Sequence, residues 1–523
     1  MDGAAKLKPS IFILFIYAAA AAFFVPANSI PLTGDINRWC RGMPHPASCR
    51  HYLSNPHSPA PPLKRRSDFY KQSVKAALDL AVHARGRLEQ LGVHRPAGPG
   101  KTAWLDCCKL FENTVLQLNR TLFPAGRNCT ALDSQTWLSA ALTNLQTCGK
   151  GFSDLKADSS FIQPVMKYNL SDLISNCLAL NNATFKATAL PWGGGAARRK
   201  LLQVSASADF VVAKDGSGNF GTIKAALDAA ATRRQSSVKR ILVHVKAGVY
   251  AESLQIISSL SDLTMTGDGK GKTIITGSRS VTGGYTTFSS PTVSVFGDAF
   301  IAIGITIRNT FGTGSQAVAL LSGSDRSVFY KCSIEGYQDT LCVYSQRQFY
   351  RECDIYGTID FIFGNAAAVI QNCTIFTRTP AKGESNVITA QGRTDQNQNT
   401  GIVIQFCKIV AAPEFWPVHR TVKSYLGRPW QIYSRTLYVE NFIDSIIDPA
   451  GWIPFNGDAG LDTLFYVEFR NNGPGEKVLR QRVKWKGIHL NLRPSQVRPF
   501  TVRRFIAGAT WLPATGVPFA SGL

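Results

Sequence analysis

Gly336-Tyr-Gln-Asp-Thr-Leu341 and, a short interval on, Gly357-Thr-Ile-Asp-Phe-Ile-Phe-Gly-Asn365 decide the fold. Each segment carries one carboxylate, Asp339 and Asp360, and the two are 21 residues apart. Each Asp follows a cysteine, Cys332 or Cys353, by seven residues. Cys-x-Ile recurs as Cys332-Ser-Ile334, Cys353-Asp-Ile355, Cys373-Thr-Ile375 and Cys407-Lys-Ile409, at steps of 21, 20 and 34 residues. A period near 20 residues marks a solenoid, in which each turn adds a strand to a stack. Equivalent residues of successive turns then lie roughly 4.8 Å apart, the spacing of neighbouring strands. Asp339 and Asp360 are therefore expected side by side on one outer face. Gln316, 23 residues before Asp339, is expected about one turn further along. Aspartate also forms turns, but Asp360 runs into Phe-Ile-Phe, a strand, which favours a site over a plain turn role.

The chain has 523 residues, enough for two or three domains. Its composition is globular, 45% hydrophobic and 17% charged, and its net charge is +23. Such a balance favours a polyanionic partner. No zinc-finger spacing, dense basic helix or aromatic RNA motif is present, so an acidic polysaccharide is preferred and nucleic acid is not expected. Ile11 to Val25 is an apolar run preceded by Lys6 and Lys8. It is short for a membrane span and suits a secretory signal over residues 1–29, with a retained anchor as the alternative. Sequons at Asn119, Asn128, Asn169, Asn182 and Asn372, and 12 cysteines, fit a secreted chain. No Cys-x-x-Cys or His cluster indicates a metal, and no cofactor is expected.

Residues 35–185 read as helical. Cys40 and Cys49 bracket a short Pro-containing segment that a disulfide would close. Apolar residues then recur at helical spacing in four runs: Val74 to Leu88, Leu110 to Leu122, Trp137 to Leu145 and Val165 to Leu180. Four amphipathic helices predict an antiparallel four-helix bundle. Either Cys107 or Cys108 is in place to pair with Cys148. With Leu105-Asp106-Cys107 and Thr136-Trp-Leu-Ser-Ala-Ala-Leu-Thr-Asn144, this region resembles the pectin methylesterase inhibitor domain.

Residues 186–206 form a linker. Pro191-Trp-Gly-Gly-Gly leads into Arg198-Arg-Lys-Leu-Leu202, a basic stretch that a processing protease would cut. This stretch is similar to the processing motif found between the two parts of plant pectinesterases. From residue 207 onward, strands and turns dominate. One helix is expected at Thr222 to Ala230, capping the solenoid's open end.

This second region resembles the plant pectinesterases. The resemblance rests on Gly248-Val-Tyr-Ala-Glu252, Gln316-Ala-Val-Ala-Leu320, Gly336-Tyr-Gln-Asp-Thr-Leu341, Asp360-Phe-Ile-Phe-Gly-Asn-Ala366 and Leu426-Gly-Arg-Pro-Trp430. It implies a right-handed parallel β-helix over 207–523 that removes methyl groups from methyl-esterified homogalacturonan and releases methanol. It also implies a Cys353–Cys373 disulfide. Ester hydrolysis needs a nucleophile, an oxyanion donor and a proton donor. With no Gly-x-Ser-x-Gly elbow, carboxylates are the candidates. By resemblance Asp360 is the nucleophile, Gln338 stabilises the oxyanion, and Asp339 protonates the leaving methanol and then activates water. Two close carboxylates cannot easily both ionise, so one keeps its proton. The resemblance further makes Thr287, Gln316, Arg428 and Trp430 substrate-binding residues, with Arg428 also orienting Asp360. Tyr250 and Glu252 read as structural. Ser315 and Cys342 depart from the family's usual His and Tyr.

Other readings are a glycosidase or lyase on the same solenoid, or a non-catalytic pectin-binding or inhibitor protein. Gln338 beside Asp339 favours an ester oxyanion over a glycosidase. The intact set of Gln338, Asp339, Asp360 and Arg428 argues against a pseudoenzyme. The expected chain is a monomer whose inhibitor-like part silences the cleft until the linker is cut.

Overall fold

The computed structural model describes residues 36–53, 65–91, 98–124, 129–187, 208–236 and 239–523. The apolar run at 11–25, the basic stretch at 198–202 and Asn128 lie outside them. Among the described residues, no helix is long and apolar enough to cross a membrane.

The second half is a parallel β-solenoid of three sheets, of 11, 7 and 8 strands, with every strand pair parallel. The Cys-x-Ile repeat sets its register. Ile307, Ile334, Ile355, Ile375, Ile409 and Ile443 stack along the eight-stranded sheet, all buried in the interior. A residue in the left-handed region turns the corner before each repeat: Lys331, Glu352, Asn372, Phe406 and Glu440, with φ between 52° and 56°. The helix before the stack spans Ile223–Arg234, capped by the Thr222 hydroxyl. Glu252 accepts the Ile223 and Lys224 N–H groups at 2.9 and 2.8 Å, and Tyr250 is fully buried, so both residues are structural.

The Cys353–Cys373 disulfide expected from the resemblance does not form; both are free, buried thiols. In a parallel ladder equivalent side chains project the same way, so their Cβ atoms stay near the strand spacing rather than the ~3.8 Å a disulfide needs. The sulfurs instead serve the corner backbone. Cys353 N–H donates to Cys373 Sγ, and Cys373 N–H to Cys407 Sγ, both at 3.3 Å. Asn441 ends the ladder, its Oδ1 accepting Cys407 N–H at 2.8 Å.

The first half is helical. Its long helices are Arg66–Leu91, Pro99–Leu122, Ala131–Asp154 and Leu170–Ala187. The fourth run read from the sequence is broken, because Asn169 (φ 51°) separates the short helix Gln163–Met166 from Leu170–Ala187. Disulfides join Cys40 to Cys49 and Cys107 to Cys148. Leu138, Leu142, Leu145 and Phe152 share one buried cluster with Leu321 and Phe363 of the seven-stranded sheet and with Val318 and Tyr344 beside its strands. The helices therefore cover that sheet. The outer face of the 11-stranded sheet is covered by the C-terminal segment, through Val502, Phe505, Trp511 and Leu512.

Candidate active site

Register brings the two carboxylates together. Leu341 pairs with Ile362, so Asp339, two residues earlier, stands level with Asp360, also two residues earlier. Both Asp residues have left-handed backbone, φ 61° and 51°, at the corner that enters the seven-stranded sheet. Asp360 thus sits at a turn and also leads into the strand Ile362–Gly364, so the contrast drawn from the sequence between those two placements does not hold. Asp is among the residues that tolerate this conformation, and the corner turns its side chain outward from the stack.

Arg428 arrives from two strands further along. Its Nε donates to Asp360 Oδ1 at 2.8 Å and its Nη2 to Asp360 Oδ2 at 2.6 Å, a two-pronged pair that fixes the carboxylate plane. Phe455 lies under the guanidinium, 4.6 Å from its carbon. Trp430 packs edge-on to Phe363 and crosses Gly392, where a Cβ would come within 2.6 Å of the indole. The side-chain amides of Gln316 and Gln338 are half-buried and have no protein partner among the described residues.

The two carboxyls differ electrically. Burial raises Asp339 well above the usual carboxylate range, and the charges of Asp360 and Asp154 add to this; Arg428 and Lys150 oppose it. Burial raises Asp360 as well, but its hydrogen bonds and charge contact with Arg428 pull it back. Asp339 is thus the carboxyl more disposed to hold a proton, and Asp360, though also raised, is the one that Arg428 draws toward its anion.

Thr287, Gln316, Gln338, Asp339, Asp360, Arg428 and Trp430 all line one cavity of about 480 Å³. Its opposite wall is the helical region: Thr143, Gln146, Lys150 and Asp154 face the carboxylates. Asp154 accepts the Thr287 N–H at 3.1 Å and pairs with Lys150 at 2.7 Å. Nothing in the sequence around Gly149-Lys-Gly-Phe-Ser-Asp154 pointed to this contact, and Phe455 was likewise missed. Cys342 lines the cavity, whereas Ser315 turns its hydroxyl to the Thr282 N–H at 3.1 Å. Among the described residues no group of His, Cys, Asp and Glu has the arrangement of a metal site.

The family model described as pectinesterase matches residues 209–509, and that of plant invertase/pectin methylesterase inhibitor matches 34–180. Pectinesterase 2 of Citrus sinensis is 51% identical over 94% of this chain and 95% of its own length. Probable pectinesterase/pectinesterase inhibitor 17 of Arabidopsis thaliana is 50% identical over 94% of each. Among solved structures, pectin methylesterase from carrot superposes with a TM-score of 0.59 at 47% identity, covering 61% of this chain and 99% of the carrot protein. A pectin methylesterase from Aspergillus niger gives 0.51 at 30% identity, over 59% and 96%. With a solenoid of this kind and an inhibitor-type helical region ahead of it, the chain belongs to the pectinesterase family of carboxylic ester hydrolases.

Proposed function

We propose that the chain hydrolyses the C6 methyl esters of homogalacturonan with Asp360 as nucleophile. The observation that carries this reading is the level pair of buried carboxyls, one clamped by Arg428 and the other pushed toward its protonated form. An Asp360 oxygen attacks the ester carbonyl carbon. The Gln338 amide, with Gln316 beside it, donates N–H to the developing oxyanion, a contribution of roughly 3–4 kcal/mol for one such donor. As the tetrahedral intermediate collapses, the carbon–OCH₃ bond breaks and Asp339 passes its proton to the methoxide oxygen, giving methanol. The remaining acyl-enzyme is an anhydride between Asp360 and the uronate. Asp339, now ionised, takes a proton from water, whose oxygen attacks the anhydride and frees a galacturonate carboxylate. Trp430 presents an aromatic face to a sugar ring, and Thr287 and Arg428 position the chain.

The helical region acts as a latch on this cleft. We assign it as a four-helix bundle over 35–185 that inhibits in cis, with 207–523 as a right-handed β-helix and 186–206 as the linker cut by a protease at Arg198–Leu202. Contacts of Asp154 with Thr287, Tyr344 with Asn144 and Asn365 with Thr143, at 2.9–3.1 Å, support occlusion of the substrate path. The apolar run in residues 1–29 supports secretion to the plant cell wall, where the chain acts as a monomer on pectin. Methanol release from highly methylated pectin, measured before and after linker cleavage, tests both parts. A rise on cleavage supports the latch; equal rates exclude it, and no release in either state excludes the catalytic reading.

A further inference from the structure

A second groove, of about 770 Å³, opens at the C-terminal end of the solenoid, away from the carboxylates. Its wall includes Lys477, Arg480, Lys484, Trp485 and Asn491, with Glu476 the one carboxylate. Lys477, Arg480 and Lys484 are exposed, and none of them is in an ion pair among the described residues. The neighbouring Arg482 behaves differently. It is buried on Glu468, with bonds of 2.8 and 3.0 Å, and also donates to Gly475 O at 2.7 Å. Arg482 thus pins the floor of the groove, while the other three cations have no structural partner. Trp485 is half-buried against the end of the core.

The groove lies on the same stack as the cleft. Ladder contacts lead from Asp360 past Val387 to Tyr425, then through Gly451 and Ala450 to Val483. Four strand spacings make about 20 Å along the axis. A single sugar ring cannot reach from one site to the other, but a polysaccharide can. The unpaired cations select for negative charge, and the indole and amide suit a sugar ring. Each turnover of the proposed reaction, on which this inference rests, converts a neutral ester into a carboxylate. The charge of the groove therefore matches the product stretch of the polymer and not its methylated stretch.

We propose that this groove is a second polysaccharide site that holds demethylated galacturonate stretches and tethers the polymer while the cleft works on neighbouring esters. Tethering makes the next encounter intramolecular and raises the local concentration of ester without any new contact at the cleft.

The test uses the full-length chain, whose cleft the helices cover, and compares it with the combined Lys477→Gln, Arg480→Gln and Lys484→Gln variant. All three positions are exposed, so the thermal midpoint should not move. Calorimetric titration with fully de-esterified oligogalacturonate is expected to show binding that weakens at least about tenfold in the variant. Fully methylated pectin is expected not to bind at this site. After linker cleavage, KM for partly demethylated pectin should rise in the variant with kcat unchanged, and neither should change for a short methylated oligomer. Unchanged affinity in the variant would overturn the proposal. Equally tight binding of a sulfated polysaccharide or of single-stranded DNA would overturn it too, by reducing the groove to a general polyanion patch. The titration needs no esterase activity, so failure of the catalytic reading would show separately as absence of methanol.

Discussion

The Asp154 carboxylate, at the end of helix Ala131–Asp154, accepts the backbone N–H of Thr287 at 3.1 Å, and its charge is one of those that raise Asp339. One side chain of the helical region thereby holds a wall of the cleft and biases the protonation of the carboxyl that would deliver the proton. Inhibition by this region would act through the field at Asp339 as well as by steric cover.

Asp154→Ala should therefore loosen the latch. The uncleaved variant is expected to release methanol roughly tenfold faster than the uncleaved parent, a change of about 1.5 kcal/mol, the low end for a hydrogen bond to a charged group. After linker cleavage the two should converge. A steady-state methanol assay on both forms checks this, and a difference that persists after cleavage would place Asp154 in the chemistry instead.

Asp106 adds a pH dependence. It is buried and accepts the Thr286 hydroxyl at 2.5 Å; burial raises it above the usual carboxylate range, opposed by Thr286 and Lys109. A carboxyl raised in the folded chain binds its proton more tightly there than in the unfolded chain. Its contribution to stability is thus greatest at low pH, declines as pH rises from the unfolded value through the raised one, and stays unfavourable above it. Asp106→Asn should flatten this fall while keeping an acceptor for Thr286. Thermal midpoints taken from acid to neutral pH would show a smaller slope in the variant; parallel curves would contradict the assignment.

Arg347 joins the two regions. Its guanidinium reaches Asp133 of the helices at 2.7 Å and Asp325 of the solenoid at 2.6 Å, with both Arg347 and Asp325 buried. Removing one partner of such a pair strands the other charge, at a cost of roughly 3–5 kcal/mol. Arg347→Ala should lower the thermal midpoint markedly. Arg347→Met together with Asp325→Leu should recover much of the loss, and calorimetry of both variants distinguishes the two effects.

The thiol ladder gives a chemical count. Cys108, Cys129, Cys177, Cys332, Cys342, Cys353, Cys373 and Cys407 are unbonded. Alkylation of the denatured, unreduced chain should add eight labels by mass. Six labels would reveal one further bridge, and peptide mapping would show whether it is the Cys353–Cys373 pairing that the resemblance implied.

Much of this arrangement was legible in the sequence because the solenoid converts spacing into proximity. A 21-residue step from Asp339 to Asp360 becomes one ladder rung, and Cys-x-Ile becomes a stacked interior column. The same rule could not pair Arg428 with Asp360. The intervening turns are longer, and the contact depends on where two side chains reach rather than on register. Asp154 was invisible for a different reason. It enters the site through docking of a separate helical region, for which repeat spacing carries no information. The disulfide expectation failed because register fixed the neighbours correctly but not the use the backbone makes of their sulfurs.

The most direct measurement is methanol release from highly methylated pectin by the linker-cleaved chain, beside Asp360→Asn of matched thermal midpoint. Release by the parent is expected, with a loss in the variant of at least about two orders of magnitude, no smaller than the loss of a single oxyanion donor. A folded Asp360→Asn chain that retained the parental rate would contradict the assignment of Asp360 as the nucleophile.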